Sequence, residues 1–140
     1  MSWGVVYYRT KDGRVPAEEF LENLPPKVAA RFDVVLDTVR RAPPPQFSGG
    51  GFWEAMHGTM NGYYEIRITG PGRMQHRLFC ILDNADSQGL EQRGFDRPHI
   101  AVINGLSKKS GEKFSDAEYK RAVRDLGDDY LANFPRRVAE

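Results

Sequence analysis

Tyr63-Tyr64-Glu65-Ile66-Arg67-Ile68-Thr69, then Gly70-Pro71-Gly72, then Met74-Gln75-His76-Arg77-Leu78-Phe79-Cys80-Ile81-Leu82-Asp83, is the stretch that decides the fold. Two runs rich in aromatic and branched residues flank a turn-forming tripeptide, the pattern of an antiparallel hairpin. Side chains alternate along a strand. Tyr64, Ile66 and Ile68 therefore face a core while Tyr63, Glu65 and Arg67 face the other way, and Leu78, Cys80 and Leu82 separate in the same manner from Arg77, Phe79 and Ile81. Both faces of the second run are apolar, so it reads as a central strand. A three-residue loop at Gly70-Pro71-Gly72 pairs Thr69 with Arg73 and Glu65 with Arg77, which leaves Arg67 on the same face as Arg77.

Working outward, Phe52–Met56 reads as a strand before this hairpin, and His99-Ile100-Ala101-Val102-Ile103-Asn104-Gly105-Leu106 as a last strand after a polar excursion from Asn84 to Pro98. The length of that excursion makes it a candidate mobile loop. Upstream, Trp3–Arg9 is a first strand followed by the turn Lys11-Asp12-Gly13. Pro16 opens a short helix with Ala17, Phe20, Leu21 and Leu24 on one face. Pro25 ends it and Pro26 opens a second helix, striped by Val28, Phe32, Val35, Leu36 and Val39. The two form a helical hairpin. Pro43-Pro44-Pro45 stops the second helix, and Ser48-Gly49-Gly50-Gly51 continues as a connector that lacks the following helix a phosphate-binding loop needs. Ser115-Asp116-Ala117-Glu118 is a capping box, and Tyr119, Ala122, Val123, Leu126 and Tyr130 make the apolar side of a final helix. Pro135 and Arg136-Arg137 then lead into a tail, residues 134–140, expected to fray.

The length, 140 residues, suits one α+β domain with a single hydrophobic core. With 40% apolar and 28% charged residues the chain should fold, and a formal net charge of +1 supplies no global field for nucleic acid. Any such binding must come from local placement. The lone Cys80 lies in an apolar run, where a thiol behaves as a small hydrophobe, so a reducing compartment is the simpler reading. The first residues lack the basic and apolar regions of a signal peptide, and no stretch is apolar for long enough to span a bilayer. A cytoplasmic protein that does not enter the membrane is expected.

The last strand runs into Leu106-Ser107-Lys108-Lys109-Ser110-Gly111-Glu112-Lys113-Phe114, delivering three lysines where a strand ends. A solvated connector is the ordinary account of such a charge run, and a cross-strand ion pair with Glu65 or Asp83 is the ordinary account of Arg67. Phe114, just before the cap, can staple onto Tyr119. His57, His76 and His99 have no metal-ligand spacing with one another or with Cys80. Ser107 and Ser110 lack an evident His and acid. Asp83, Asp86 and Asp96 do not follow a magnesium-loop spacing. Phe95 and Arg97 in the excursion offer an aromatic and a cation, with inward packing of Phe95 the plainer account.

Taken together, Tyr64-Glu65-Ile66-Arg67, the turn, His76-Arg77-Leu78-Phe79 and Leu106-Ser107-Lys108-Lys109 before a capped helix resemble the RelE/HigB family of bacterial toxins, with the closest likeness to its phage-derived HigB-like branch. The likeness covers most of the chain. It implies a RelE/ParE-like α+β fold: an N-terminal strand, a helical hairpin, an antiparallel meander and a C-terminal helix. It also implies the toxin of a type II toxin–antitoxin system, a ribosome-dependent mRNA endonuclease that inhibits translation without metal or cofactor. Its partners would be the ribosome, mRNA and a cognate antitoxin with a helix-turn-helix. On this reading Arg67 and Arg77 hold the scissile phosphate, and Lys108 or Lys109 stabilises the transition state or protonates the leaving oxygen. Glu65 is a proton-transfer candidate, and Lys113, Phe114 and Tyr63 are candidates for RNA contact. Some relatives carry a tyrosine where this chain has Phe114, which leaves the general base unassigned. Two other functions fit the same fold: a non-enzymatic ParE-like inhibitor of DNA gyrase, and an inactive module that binds antitoxin.

Overall fold

Branched and aromatic residues favour extended backbone where both faces of a strand can be covered, and the first such run, β1 (Gly4–Tyr8), is buried along its whole length. The computed structural model describes residues 2–42, 51–83, 94, 97–133 and 136–139. After β1 come α1 (Pro16–Glu22) and α2 (Pro26–Arg41), each with proline at its start, where the missing amide hydrogen costs nothing. The edge strand β2 (Trp53–Ala55), a 3-10 turn at Gly58–Met60, β3 (Tyr63–Thr69), β4 (Gln75–Asp83) and β5 (His99–Lys108) follow. The chain closes with α3 (Asp116–Tyr119), a π-helical turn Lys120–Arg124, α4 (Asp125–Ala132) and β6 (Arg137–Ala139).

The six strands form one sheet in the order β2-β3-β4-β5-β1-β6. β1 runs parallel to β5, and the other paired strands are antiparallel. The α1–α2 hairpin covers one face through Ala17, Val28, Phe32, Leu36 and Val39, packed on Ile66, Ile68, Leu78, Cys80, Ile100 and Val102. The C-terminal helix covers part of the other face through Val123 and Tyr130, packed on Tyr63, Phe79, Ile81, Ala101 and Ile103. The expectation of one core is thereby corrected. The sheet separates two apolar clusters, because β4 and β5 are apolar on both faces and each face must be covered. No helix among the described residues is long and apolar enough to cross a membrane.

Two further expectations change. Arg137–Ala139 does not fray but pairs antiparallel with β1, its backbone satisfying that strand's free edge. The hairpin loop is longer than the glycines suggest. Pro71–Arg73 forms a 3-10 turn, Thr69 pairs with Gln75, and Arg67 rather than Glu65 lies opposite Arg77. Arg73 takes a positive φ of 61° to close this turn. The register thus moves by two residues, an even step, so Glu65, Arg67 and Arg77 keep their common face. The connector 43–50, most of the excursion Asn84–Pro98 with Asp86, Phe95 and Asp96, and residues 134, 135 and 140 of the tail lie outside the described residues.

β5 carries the irregularity that matters most for the site. Phe79 pairs with Asn104 but Cys80 with Val102, so Ile103 is an extra, bulged residue. Before it, Ile100 and Val102 face the helical hairpin. After it the parity is reversed: Leu106 packs in the cluster under the C-terminal helix. Lys108, two residues further, joins that face. A classic effect of a bulge is to re-aim the side chains that follow. Gly105 then turns toward the hairpin, where an added Cβ would lie 2.2 Å from the Phe20 ring. Gly105→Ala is expected to destabilise the fold by about 1–3 kcal/mol through overpacking; a thermal melt with an unchanged midpoint would contradict this contact.

Candidate functional site

Past α3 the C-terminal helix leaves the upper part of its sheet face open, and there β2, β3, β4, the end of β5 and the first turn of the helix enclose a cleft of about 360 Å³. That volume is within the range of pockets that take small ligands. Its floor is Glu65, Arg67 and Arg77, its walls are Glu54 and His57 on one side and Lys108, Phe114 and Tyr119 on the other. Directly opposed like charges such as Arg67 and Arg77 repel on a sheet. Glu65 resolves this: one carboxylate oxygen lies 3.2 Å from Arg77 Nε and 3.6 Å from Arg67 Nε.

The two arginines are not equivalent. The Arg77 side chain is 9% exposed against 46% for Arg67. Arg77 also donates to the His76 carbonyl at 3.2 Å and to Gln75 Oε1 at 3.3 Å, so its guanidinium is fixed before any ligand arrives. Arg67 is a second, half-exposed cation at the mouth. Burial raises the Glu65 carboxyl above its ordinary value, opposed by Arg77, Arg67 and Lys108. Burial, with Arg77 next, lowers the Lys108 ammonium. Both groups move toward neutrality, the direction useful for proton transfer.

Lys108 Nζ sits 4.9 Å from the centre of the Phe114 ring. Phe114 stacks edge-on against Phe79 and Tyr119, at 6.5 and 5.6 Å, so the expected staple to Tyr119 forms. The capping box forms too: Ser115 Oγ accepts from the Glu118 amide and Glu118 accepts from the Ser115 amide, both at 3.0 Å. The helix start is tied to the turn after β2, since Asp116 accepts from Thr59 at 2.7 Å and from Arg124 at 2.8 Å. Tyr119 is thereby held over the cleft. Burial, then the nearby Glu65 charge, raises its phenol above the ordinary tyrosine value, so it stays protonated at neutral pH.

Of the residues expected from sequence, Glu65, Arg67, Arg77, Lys108 and Phe114 meet in this cleft. Lys109 does not line it; its amide donates to Glu112 at 3.2 Å and the residue is exposed on the following turn. Lys113 is exposed and acts on Lys108 only through its charge. Tyr63 is corrected: it lies under the C-terminal helix, 8% exposed, because Gly127 lets that helix approach its hydroxyl. Burial pushes its phenol up to about 12. Tyr119, His57 and Glu54 were not expected in the site. Tyr119 reads from its spacing as a core position, and only its place in the first helical turn, beside the sheet's open end, hints otherwise.

Several polar groups singled out in the sequence have structural partners elsewhere. Ser107, which lacked an evident histidine in sequence, meets His76 Nδ1 at 2.6 Å, but on the hairpin side of the sheet, away from the cleft. Burial and Arg77 lower the His76 imidazole. Asp83 accepts from the Tyr130 hydroxyl at 2.7 Å, and His99 Nδ1 meets the Arg97 carbonyl at 2.7 Å. Cys80 is buried and its thiol raised by desolvation, so it has the character of a core residue. Comparison with protein-family models, with curated proteins and with solved structures finds no match for the chain.

Proposed function

We propose that this protein is a RelE/HigB-like toxin that cleaves mRNA on the ribosome and is neutralised by a cognate antitoxin. The observation that carries the proposal is the convergence of Arg67, Arg77, Lys108, Glu65 and Tyr119 on a single cleft, with Glu54 and His57 on its far wall. Phosphodiester cleavage by the adjacent 2′-hydroxyl calls for a base, an acid and cations on the phosphate, roles those groups can fill. A base removes the 2′-hydroxyl proton, the 2′-oxygen bonds to phosphorus, the bond to the 5′-oxygen breaks, and an acid protonates that oxygen. Arg77, preorganised by its neighbours, and the more exposed Arg67 hold the phosphate and stabilise charge developing on its oxygens, with Lys108 as a third cation.

Glu65 is the base in this scheme. Its ionised form is kept by Arg77 and Arg67, yet burial raises its pKa toward the working pH. A bound phosphate competes for the same guanidinium donors, which loosens Glu65 for proton transfer when substrate arrives. Tyr119, protonated and facing the cleft, is the acid. It fills the role that Phe114 cannot take, while the Phe114 ring under Lys108 offers a stacking surface for a base.

Tightly controlled expression of the chain without antitoxin tests this. Growth arrest with new 5′ ends inside translated messages, seen by primer extension, is expected. Arrest with intact mRNA and broken DNA would replace this proposal with the gyrase-directed reading, and normal growth would leave only antitoxin binding.

A further inference from the structure

Tyr119 immediately precedes the π-helical turn Lys120–Arg124, in which the Asp125 amide bonds to the Lys120 carbonyl five residues back. π-Turns occur mostly as single insertions at functional places, since the extra residue costs backbone geometry. Here the insertion separates two anchored helical pieces. The first is tied by Asp116 to Thr59 and Arg124. The second is seated by Gly127 against Tyr63. Each residue of α-helix turns the chain by about 100°, so an inserted residue sets the phase of the first piece, and hence of Tyr119, relative to the second.

One side chain from the sheet reaches into that turn: Asn104 Nδ2 donates to the Ala122 carbonyl at 2.9 Å. Asn104 is the residue that immediately follows the bulged Ile103 in β5. Its direction is a consequence of the bulge. Regular alternation puts residue 104 on the hairpin face with Ile100 and Val102, whereas the bulge turns it to the C-terminal helix together with Leu106 and Lys108. A single irregularity in β5 therefore aims Lys108 into the cleft and Asn104 at the helix that bears Tyr119.

We infer that Asn104 is a positioning residue, which holds the π-turn through the Ala122 carbonyl and so fixes Tyr119 over the cleft opposite the arginines. The inference rests on the proposed phosphodiester cleavage for its functional consequence, but its structural part is measurable without RNA. The full chain is labelled with 3-fluorotyrosine, and the Tyr119 fluorine signal is assigned by its loss in Tyr119→Phe. In Asn104→Ala the Tyr119 signal should shift and its pH midpoint fall toward that of free 3-fluorotyrosine, as the ring leaves burial and the Glu65 charge. Cleavage should lose about tenfold in kcat, the scale of one hydrogen bond, with KM within about twofold. Asn104→Gln keeps the amide donor and should recover part of each effect.

A Tyr119 signal and midpoint unchanged in Asn104→Ala would overturn the inference. So would Ala and Gln variants that behave alike, or an Ala variant that fails to fold while the Gln variant folds without restoring the Tyr119 signal. A wild-type protein that cuts no RNA would remove the proposed function but leave the fluorine result to decide the role of Asn104.

Discussion

Under the proposed mRNA cleavage, Arg77→Ala is expected to lower the rate by about 10²–10³-fold, the usual cost of removing one preorganised charge-stabilising donor. Arg67→Ala should cost less, because that guanidinium is half exposed and must be ordered when substrate binds. The difference follows from the partners of each. Arg77 is already positioned by Glu65, Gln75 and the His76 carbonyl, so none of its binding energy is lost in ordering. Removing it also strands the Glu65 carboxylate in a largely buried place, and Glu65 should then take up a proton at higher pH than in the wild type. Arg77→Lys separates the two effects: it keeps a cation beside Glu65 but loses the paired donors, so stability should recover more than activity. Single-turnover cleavage on programmed ribosomes, beside thermal melts, measures both. Equal losses for Arg67→Ala and Arg77→Ala would show that fixing Arg77 in advance contributes nothing.

The face shared by Glu65, Arg67 and Arg77 is legible in sequence because strand alternation has a period of two and survives any even error in register. The loop between β3 and β4 is such an error, since Pro71–Arg73 forms a turn where the glycines alone suggested a tighter connection. The helical hairpin and the capping box are also legible, because proline and serine act on the backbone locally. Lys108 is a different case. Its sequence neighbourhood places it at a strand end, but which face it joins depends on the bulge at Ile103. Gly105 inside the run is a general sign of a bulge or a close approach, but nothing in Ile103-Asn104-Gly105 says which residue is the extra one. The bulge is set instead by long-range fit: Asn104 to the Ala122 carbonyl on one side and Gly105 to Phe20 on the other. Tyr119 was hidden for a similar reason. Helical spacing marks the side that faces the sheet, and it cannot tell where along the sheet the covering ends and a cleft begins.

Tyr119→Phe is expected to reduce cleavage by about 10²–10⁴-fold, the range for loss of a positioned proton donor. The ring contacts with Phe79 and Phe114 do not use the hydroxyl, so the fold and the KM should be nearly unchanged. A substrate with sulfur in place of the bridging 5′-oxygen distinguishes donation from packing. A thiolate leaves without help, because it is a much weaker base than an alkoxide. Wild type and Tyr119→Phe should therefore cut that substrate at similar rates while differing widely on the normal linkage. The pH profile adds a second check. Glu65 must be ionised to act as base, so the rate should rise with pH through a midpoint above the ordinary carboxylate value. Tyr119 must be protonated to act as acid, and its raised phenol puts the loss of that form above the ordinary tyrosine range. Tyr119→Phe should keep the acid-side rise set by Glu65 and lose the rate advantage on the oxygen substrate at every pH below the phenol midpoint. If the variant is equally impaired on the sulfur and oxygen substrates, the Tyr119 hydroxyl orients the RNA and another group, with Lys108 foremost by position, delivers the proton.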